Sequence, residues 1–289
     1  MRTAIIFASA IVAMGALSSP AFAGFGSSAV AIKAAVQSGS VDAIVAELEK
    51  AEELPSSGAI DVVLPLVDHD SWRVRDAAGW WLTRRGVRTQ VIANMTARLA
   101  GSDPIAARNA GDVLAAMRDF STVPALATFL QKPLDEDSGV AAARALGAIG
   151  HPTALTALNG ALGSTLAGVR AQAAASLRDL RAPKGATVAA SYAPLLPLVG
   201  DGDANVRRQA VMTIGFIGGA GKTPATGAVI TALSSVATGD PAASVRKAAA
   251  WALGELKDGS ARAALMQAQA NDSDALVRSI ASAALANLR

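Results

Sequence analysis

The chain has 289 residues, 52% hydrophobic but only 4% aromatic, with 26 basic and 23 acidic side chains and no cysteine. Without cysteine there are no disulfides, no thiolate nucleophile and no thiolate metal site, and a net charge of +3 gives no general attraction for nucleic acid or an anionic membrane. Alanine fills much of the apolar fraction, and because it favours the helix and lets backbones approach closely, the composition predicts packed helices.

The chain opens with the three parts of a secretory signal. Met1-Arg2-Thr3 is short and positive, Ala4 to Leu17 is apolar, and Ser18-Ser19-Pro20 leads to the small residues of Ala21-Phe22-Ala23. This predicts a signal peptide over 1–23, cleavage after Ala23, and a periplasmic or secreted mature chain beginning at Gly24. The apolar stretch is short for a membrane span, and no later one reaches ~18 uninterrupted apolar residues, so no stable membrane insertion is expected after cleavage. Residues 24–59 are read as an N-terminal cap of two helices, Ala29–Gln37 and Val41–Glu53, closed by a loop at Pro55-Ser56-Ser57-Gly58.

From 60 to 289 the chain repeats. Seven times an alanine is followed four residues later by a large aliphatic: Ala78/Leu82, Ala110/Leu114, Ala142/Leu146, Ala173/Leu177, Ala210/Ile214, Ala249/Leu253 and Ala281/Leu285. Self-similarity at a period of about 30 to 40 residues marks stacked supersecondary units. With the alanine as position 4, position 0 is Val74, Ala106, Ser138, Val169, Val206, Val245 and Val277. Positions 0, 4, 8 and 11 fall on one face of a helix, which is therefore the buried one. Arg85 breaks that stripe at position 11 of the first unit.

Three residues before position 0 stand Ser71, Asp103, Asp135, Leu166, Asp203, Ala242 and Asp274, five of them good N-caps. Asp240-Pro241 predicts an earlier start for the sixth of these helices. Gly147, Gly215 and Gly254, just after position 8, are read as lying near helix ends. Upstream of each cap runs a second apolar-periodic segment: Val62–Val67, Val91–Leu99, Val123–Leu130, Ala154–Leu162, Tyr192–Val199, Val229–Val236 and Arg262–Ala268. Each unit is thus a helical hairpin whose apolar seam is covered only by its neighbours.

The strings VRDAAGWWL, VRAQAAASL, VRRQAVMTIG, VRKAAAWALG and VRSIASAAL resemble the second helix of HEAT repeats, particularly the short bacterial HEAT-like type. The resemblance covers Ile60 to Arg289 and implies an all-α, right-handed solenoid of about seven hairpins. It also implies a ladder in which the arginine after the valine pairs with a turn aspartate. Arg75, Arg170, Arg207, Arg246 and Arg278 hold the arginine place, with Asp203 and Asp274 as acidic partners. Ala107 and Gly139 stand where units two and three should carry arginine, which predicts a looser middle or a local bend.

Few residues are available for catalysis. His69 and His151, the only histidines, fall in turns, and no Gly-x-Ser-x-Gly turn occurs. HEAT-like hydroxylases place two irons on repeated His-Glu pairs, whereas here the dipeptides are His69-Asp70 and His151-Pro152. Gly218-Gly219-Ala220-Gly221-Lys222-Thr223 has Phe216 where a phosphate loop needs glycine, and reads as a connector. Asp201-x-Asp203-x-Asn205 has Val206 and Met212 where a calcium loop needs glycine and glutamate. No catalytic, cofactor or metal site is expected.

In the resembling family the exposed face of the second helices lines the concave side. Here that face carries Asp76, Trp80, Arg108, Asp112, Arg144, Gln172, Arg208, Met212, Lys247 and Trp251. Aromatic, arginine and methionine side chains are enriched at protein interfaces. The expectation is an exported, non-catalytic scaffold that binds a protein or peptide along this face, with Trp80 and Trp251 as anchors, and not nucleic acid. The alternative implied by the resemblance is a lyase or isomerase acting on a pigment-bearing protein. Arg73, Arg75, Arg84, Arg85 and Arg88 form a local basic cluster, read either as a solvated face or as a dock for acidic groups.

Overall fold

A computed structural model describes residues 27–54, 59–180, 191–219 and 225–288. The predicted signal peptide, the Pro55–Gly58 loop and positions 220–223 of the glycine-rich connector lie outside the described residues. Among the described residues there are fifteen α-helices and no strand. Helices α1 (Ala29–Ser38) and α2 (Val41–Lys50) form an N-terminal pair, and seven hairpins follow. Their first members are α3 (Ile60–Val63) with a 3-10 turn at Leu64–Asp68, α5 (Arg88–Leu99), α7 (Val123–Gln131), α9 (Leu155–Ala161), a 3-10 turn at Leu196–Gly200, α12 (Gly227–Gly239) and α14 (Arg262–Asn271). The second members are α4 (Trp72–Leu82), α6 (Pro104–Met117), α8 (Glu136–Ile149), α10 (Ala167–Ser176), α11 (Ala204–Gly219), α13 (Ala243–Leu256) and α15 (Ala275–Asn287). Second helices stack on second helices, with the first members in an outer row, so the chain is an all-α solenoid.

The repeated stripe is its spine. Val74, Ala78, Leu82, Ala110, Leu114, Ala142, Leu146, Val206, Ala210 and Ile214 are all fully buried. Each Val, Leu or Ile so placed contributes on the order of 1.5–3 kcal/mol relative to exposure. Leu177 is only half-buried, because α10 has already stopped at Ser176.

Gly147, Gly215 and Gly254 do not end helices; they lie inside α8, α11 and α13. A Cβ on Gly147 would lie 2.7 Å from Ser176 Cβ, and one on Gly254 would lie 2.8 Å from Ala284 Cβ. Gly111 in α6 meets Ala141 of α8 in the same way, at 2.8 Å. These glycines bring successive second helices within backbone reach. Because this row is the closer-packed one, the array curves towards it and its free face is concave. The expected loose middle is not found: α6 and α8 meet through this tight Gly111 contact.

The outer row is less regular than its apolar runs imply. In the first and fifth units Pro65 and Pro197 each sit at the start of a 3-10 turn. Without an N–H and with a ring that clashes with the preceding turn, proline tightens these short stretches.

Of the five residues read as good N-caps, Ser71, Asp103, Asp135 and Asp274 hold that position, and Leu166 and Ala242 hold it in their own units without a side-chain bond. At the seventh, Asp203 Oδ1 accepts from the amides of Asn205 and Val206 at the start of α11. The sixth-unit helix does not begin at Pro241. It begins at Ala243, because the Asp240 carboxylate is held by Arg207 and by the Ala242 amide instead of capping.

Arg85, the misfit in the stripe, caps the neighbouring pair. Its Nη2 donates to the carbonyls of Ala51 (3.1 Å) and Glu52 (2.9 Å) at the end of α2, and its guanidinium lies over the Trp81 ring. A cation at helix C-terminal carbonyls is favourable. Trp81 Nε1 also donates to Ala51 O, at 2.9 Å.

Candidate functional site

An arginine ladder fixes the geometry of the concave row. Arg170 holds Asp201 in two bonds of 2.8 and 2.9 Å, Arg207 holds Asp240 at 2.7 and 3.0 Å, and Arg246 holds Asp272 at 2.7 and 2.8 Å. Each arginine also turns Nη1 back onto the carbonyls of its own turn, as Arg207 does to Asp201 (2.9 Å) and Gly202 (3.2 Å). Arg278 keeps this backward half, on the carbonyls of Asp272 and Ser273. Planar guanidinium groups suit such bidentate pairing. The bond from Arg170 holds the Asp201 carboxyl below its ordinary range, and the bond from Arg246 does the same for Asp272.

The acids differ from those expected. Asp203 and Asp274 are N-caps whose oxygens face backbone amides. The rungs come from the aspartates before them, Asp201, Asp240 and Asp272, which lie where the arginine of the preceding unit arrives. The first rung is different again. Arg75 of α4 binds Asp112, which lies inside α6, and Arg144 of α8 binds the other oxygen of the same carboxylate. Asp112 is 3% exposed. It is therefore an internal bridge among units one, two and three and cannot meet a partner, contrary to the expectation from its helical offset. Offset alone placed it outward; a carboxylate between two guanidinium groups is drawn inward.

The remaining concave face opens into two adjoining cavities at the C-terminal ends of the second helices. The first, about 580 Å³, is lined by Asp76, Trp80, Arg84, Arg118, Arg144 and Ala148. The second, about 470 Å³, is lined by Arg118, Arg144, Gln172, Arg178, Asp179 and Leu180. Arg118 and Arg144 belong to both, so the two form one groove across units one to four. Arg84 stacks on Trp80 at 4.5 Å, and Arg144 lies 5.6 Å from the ring centre of Trp72. Burial pushes the Asp76 carboxyl up and Asp112 adds to this, while Arg144 and Arg118 oppose it. A larger depression, about 870 Å³, lies in the outer row between α7 and α9, with Lys132 and Asp135 as its charged lining.

Trp80 and Arg144 thus stand in the groove. Trp251 does not line it: its ring packs against Phe216 at 5.1 Å and covers Gly215. Arg108 is half-buried and donates to Asn109 Oδ1, and Arg208 donates to Asn205 Oδ1 at 2.8 Å. Met212 and Lys247 are half-buried on α11 and α13, and neither lines the groove. Sequence reasoning missed Arg118 and Arg178. Arg178 carried a usable signal: one residue after the aliphatic of its unit, where other units have Thr83, Ala115, Gly147, Gly215, Gly254 and Ala286, it alone is large.

Of the basic cluster of unit one, Arg73, Arg84 and Arg85 dock the N-terminal pair, while Arg75 binds Asp112 and Arg88 binds Asp119. Arg73 meets Asp42 at 2.7 Å and Arg84 meets Glu52 at 3.0 Å, both partly exposed pairs of small energetic weight. The two histidines serve turns: His69 Nδ1 accepts from Ser71 N, and His151 Nδ1 accepts from Thr153 N. Asp201, first acid of the calcium-like string, is occupied by Arg170. Among the described residues no three His, Asp or Glu side chains gather closely enough to hold a metal ion. None of the described helices is long and apolar enough to cross a membrane.

A solenoid of helical hairpins with an arginine ladder defines a helical-repeat protein. A family model for HEAT repeats matches residues 92–178 and 192–286, and the chain belongs to that family. No curated protein matches. Among solved structures, human deoxyhypusine hydroxylase in complex with glycerol is similar at 21% identity, covering 90% of this chain and 95% of that one, with a TM-score of 0.37. Two engineered proteins are similar at 21% and 20% identity, each covering 79% of this chain and 95% and 97% of their own, both with TM-scores of 0.46.

Proposed function

We propose that the mature chain is an exported, non-catalytic scaffold that binds a protein or peptide partner on its concave face. The carrying observation is the groove in which Trp80, Arg84, Arg118 and Arg144 line adjoining cavities open to solvent. Large amphipathic side chains such as Trp80, stacked against Arg84, and Arg144, held by Asp112, supply contact area at low entropic cost, as interface anchors do. Trp80 is the anchor; Trp251, packed on Phe216, shapes the wall further along. Export rests on the composition of residues 1–23.

A photo-crosslinking residue at Ala116, in the groove, is compared with one at Thr128 on the exposed outer row. Discrete partner crosslinks from Ala116 that weaken with Trp80→Ala support the reading. Equal labelling from both positions, or none from Ala116, removes it. Mass spectrometry of the extracytoplasmic fraction should find a chain starting at Gly24; an intact Met1 terminus in the cytoplasm overturns export.

A further inference from the structure

The seam between second helices changes character at one place. From unit to unit it is made of glycine, alanine and other small residues, but after α10 it holds Arg178. Helix α10 has ten residues where α8 has fourteen and α11 sixteen, so its last turn is missing and the seam opens. Arg178 fills part of that gap. It lies 5.3 Å from the ring centre of Phe216 and donates to two neutral oxygens, Gln209 Oε1 and Ala175 O, each at 3.1 Å, with the Asp179 carboxylate in the same cavity. Burial lowers its affinity for the proton, and the nearby positive charge of Arg208 adds to this, against the opposing effect of Asp179. Charge in such a place is costly until an anion approaches it.

Two more guanidinium groups face the same cavity. Arg118 sits in the left-handed conformation (φ 50°) at the end of α6 and is exposed. Arg144 shares the single Asp112 carboxylate with Arg75, two positive charges on one negative, and is itself partly exposed. The Gln172 amide and the Asp179 carboxylate complete the polar lining, so three guanidinium groups there face one carboxylate. Helix C-termini repel anions, so attraction here comes from the guanidinium groups alone. With Arg84 in the adjoining cavity the guanidinium groups span two joined cavities, and so suit several spaced carboxylates better than one compact ion. Trp80 lines the same groove and offers apolar surface to the stem of an acidic side chain.

We infer that the occupant of this groove is an acidic, carboxylate-rich segment of a partner protein, seated on Arg118, Arg144 and Arg178. This rests on the scaffold reading above and adds the chemistry of the partner.

The test uses the full mature chain and a fluorescent oligoglutamate peptide, followed by anisotropy. Binding is expected, falling about tenfold or more in Arg118→Gln/Arg178→Gln and falling again as salt rises through the range that screens exposed charge. Should the double variant lose its helical melting transition, Arg118→Gln alone, at an exposed site, must still weaken binding severalfold. Unchanged affinity in a folded variant, or equal binding of oligolysine, overturns the inference. So does tighter binding of inorganic phosphate or a phosphoserine peptide with no binding of oligoglutamate. If oligoglutamate fails while Ala116 crosslinks persist, the scaffold reading stands and the acidic occupant falls. If oligoglutamate binds but no crosslink forms, the scaffold reading fails and the anion site stands.

Discussion

Arg75 and Asp112 are 37 residues apart in sequence and pair in the interior, with side chains only 3% and 4% exposed. Breaking a buried pair leaves one partner charged and unsatisfied, at a cost of about 3–5 kcal/mol. Asp112→Ala should therefore lower stability by roughly that amount, since Arg144 loses its partner as well. Arg108→Ala, one turn away on the same helix and donating to Asn109, should stay within about 0.5 kcal/mol of wild type. Urea denaturation of both variants decides it: equal midpoints would show that Asp112 is not a bridge.

Two glycines of opposite environment test the seam. Gly111→Ala places a Cβ 2.8 Å from Ala141 Cβ and 2.9 Å from its backbone carbon, and should cost about 1–3 kcal/mol by overpacking. Gly160→Ala, in α9 with nothing within 4 Å, should instead stabilise by about 0.5–1 kcal/mol through helix propensity. Thermal melts of the two should shift in opposite directions.

Acid should loosen the ladder. Asp201 and Asp272 are held below their ordinary value by arginine bonds. For Asp240 burial pulls the other way, but the bonds from Arg207 and the Ala242 amide prevail. A carboxyl whose folded pKa is depressed gives its full stabilisation above the unfolded value of about 3.9 and loses it as pH falls below that. Stability should be flat from neutrality to about pH 5 on this account and fall steeply below pH 4. Asp201→Asn/Asp272→Asn should lower stability at neutral pH and flatten the acid slope; an unchanged slope would exclude the ladder as its source.

Asp76 should behave in the opposite sense. Burial raises its folded pKa, so the folded state favours the proton and stability is lost as pH rises through the folded value. Asp76→Asn should raise the melting temperature at pH 7, and the gain should vanish near pH 3, where wild-type Asp76 is protonated in both folded and unfolded chains. A variant less stable than wild type at pH 7 would mean that the ionised carboxylate is well paired.

The spine and the caps were legible because burial and capping repeat at fixed offsets, as Val74, Val206 and Val277 or Asp103 and Asp135 show. The ladder arginines were legible for the same reason. Their acids were not: an aspartate two residues upstream of a cap looks the same in sequence as the cap itself, and only the path of the arginine separates Asp201 from Asp203. Asp112 was misread because helical offset gives direction but not depth. The groove was half legible, through Trp80, Arg84 and Arg144. Arg118 and Arg178 lie beyond the last full turn of their helices, where periodicity no longer applies.

The shared carboxylate of Asp112 also affects how the array comes apart. Elsewhere each rung joins two neighbouring units, so a terminal hairpin can peel away after losing a single clamp. Units one to three are tied through one atom group and should open together as a single cooperative block. The face that carries Trp80 would then keep its shape while hairpins nearer the C-terminus fray, and amide exchange should show a sharp step in protection between α8 and α15.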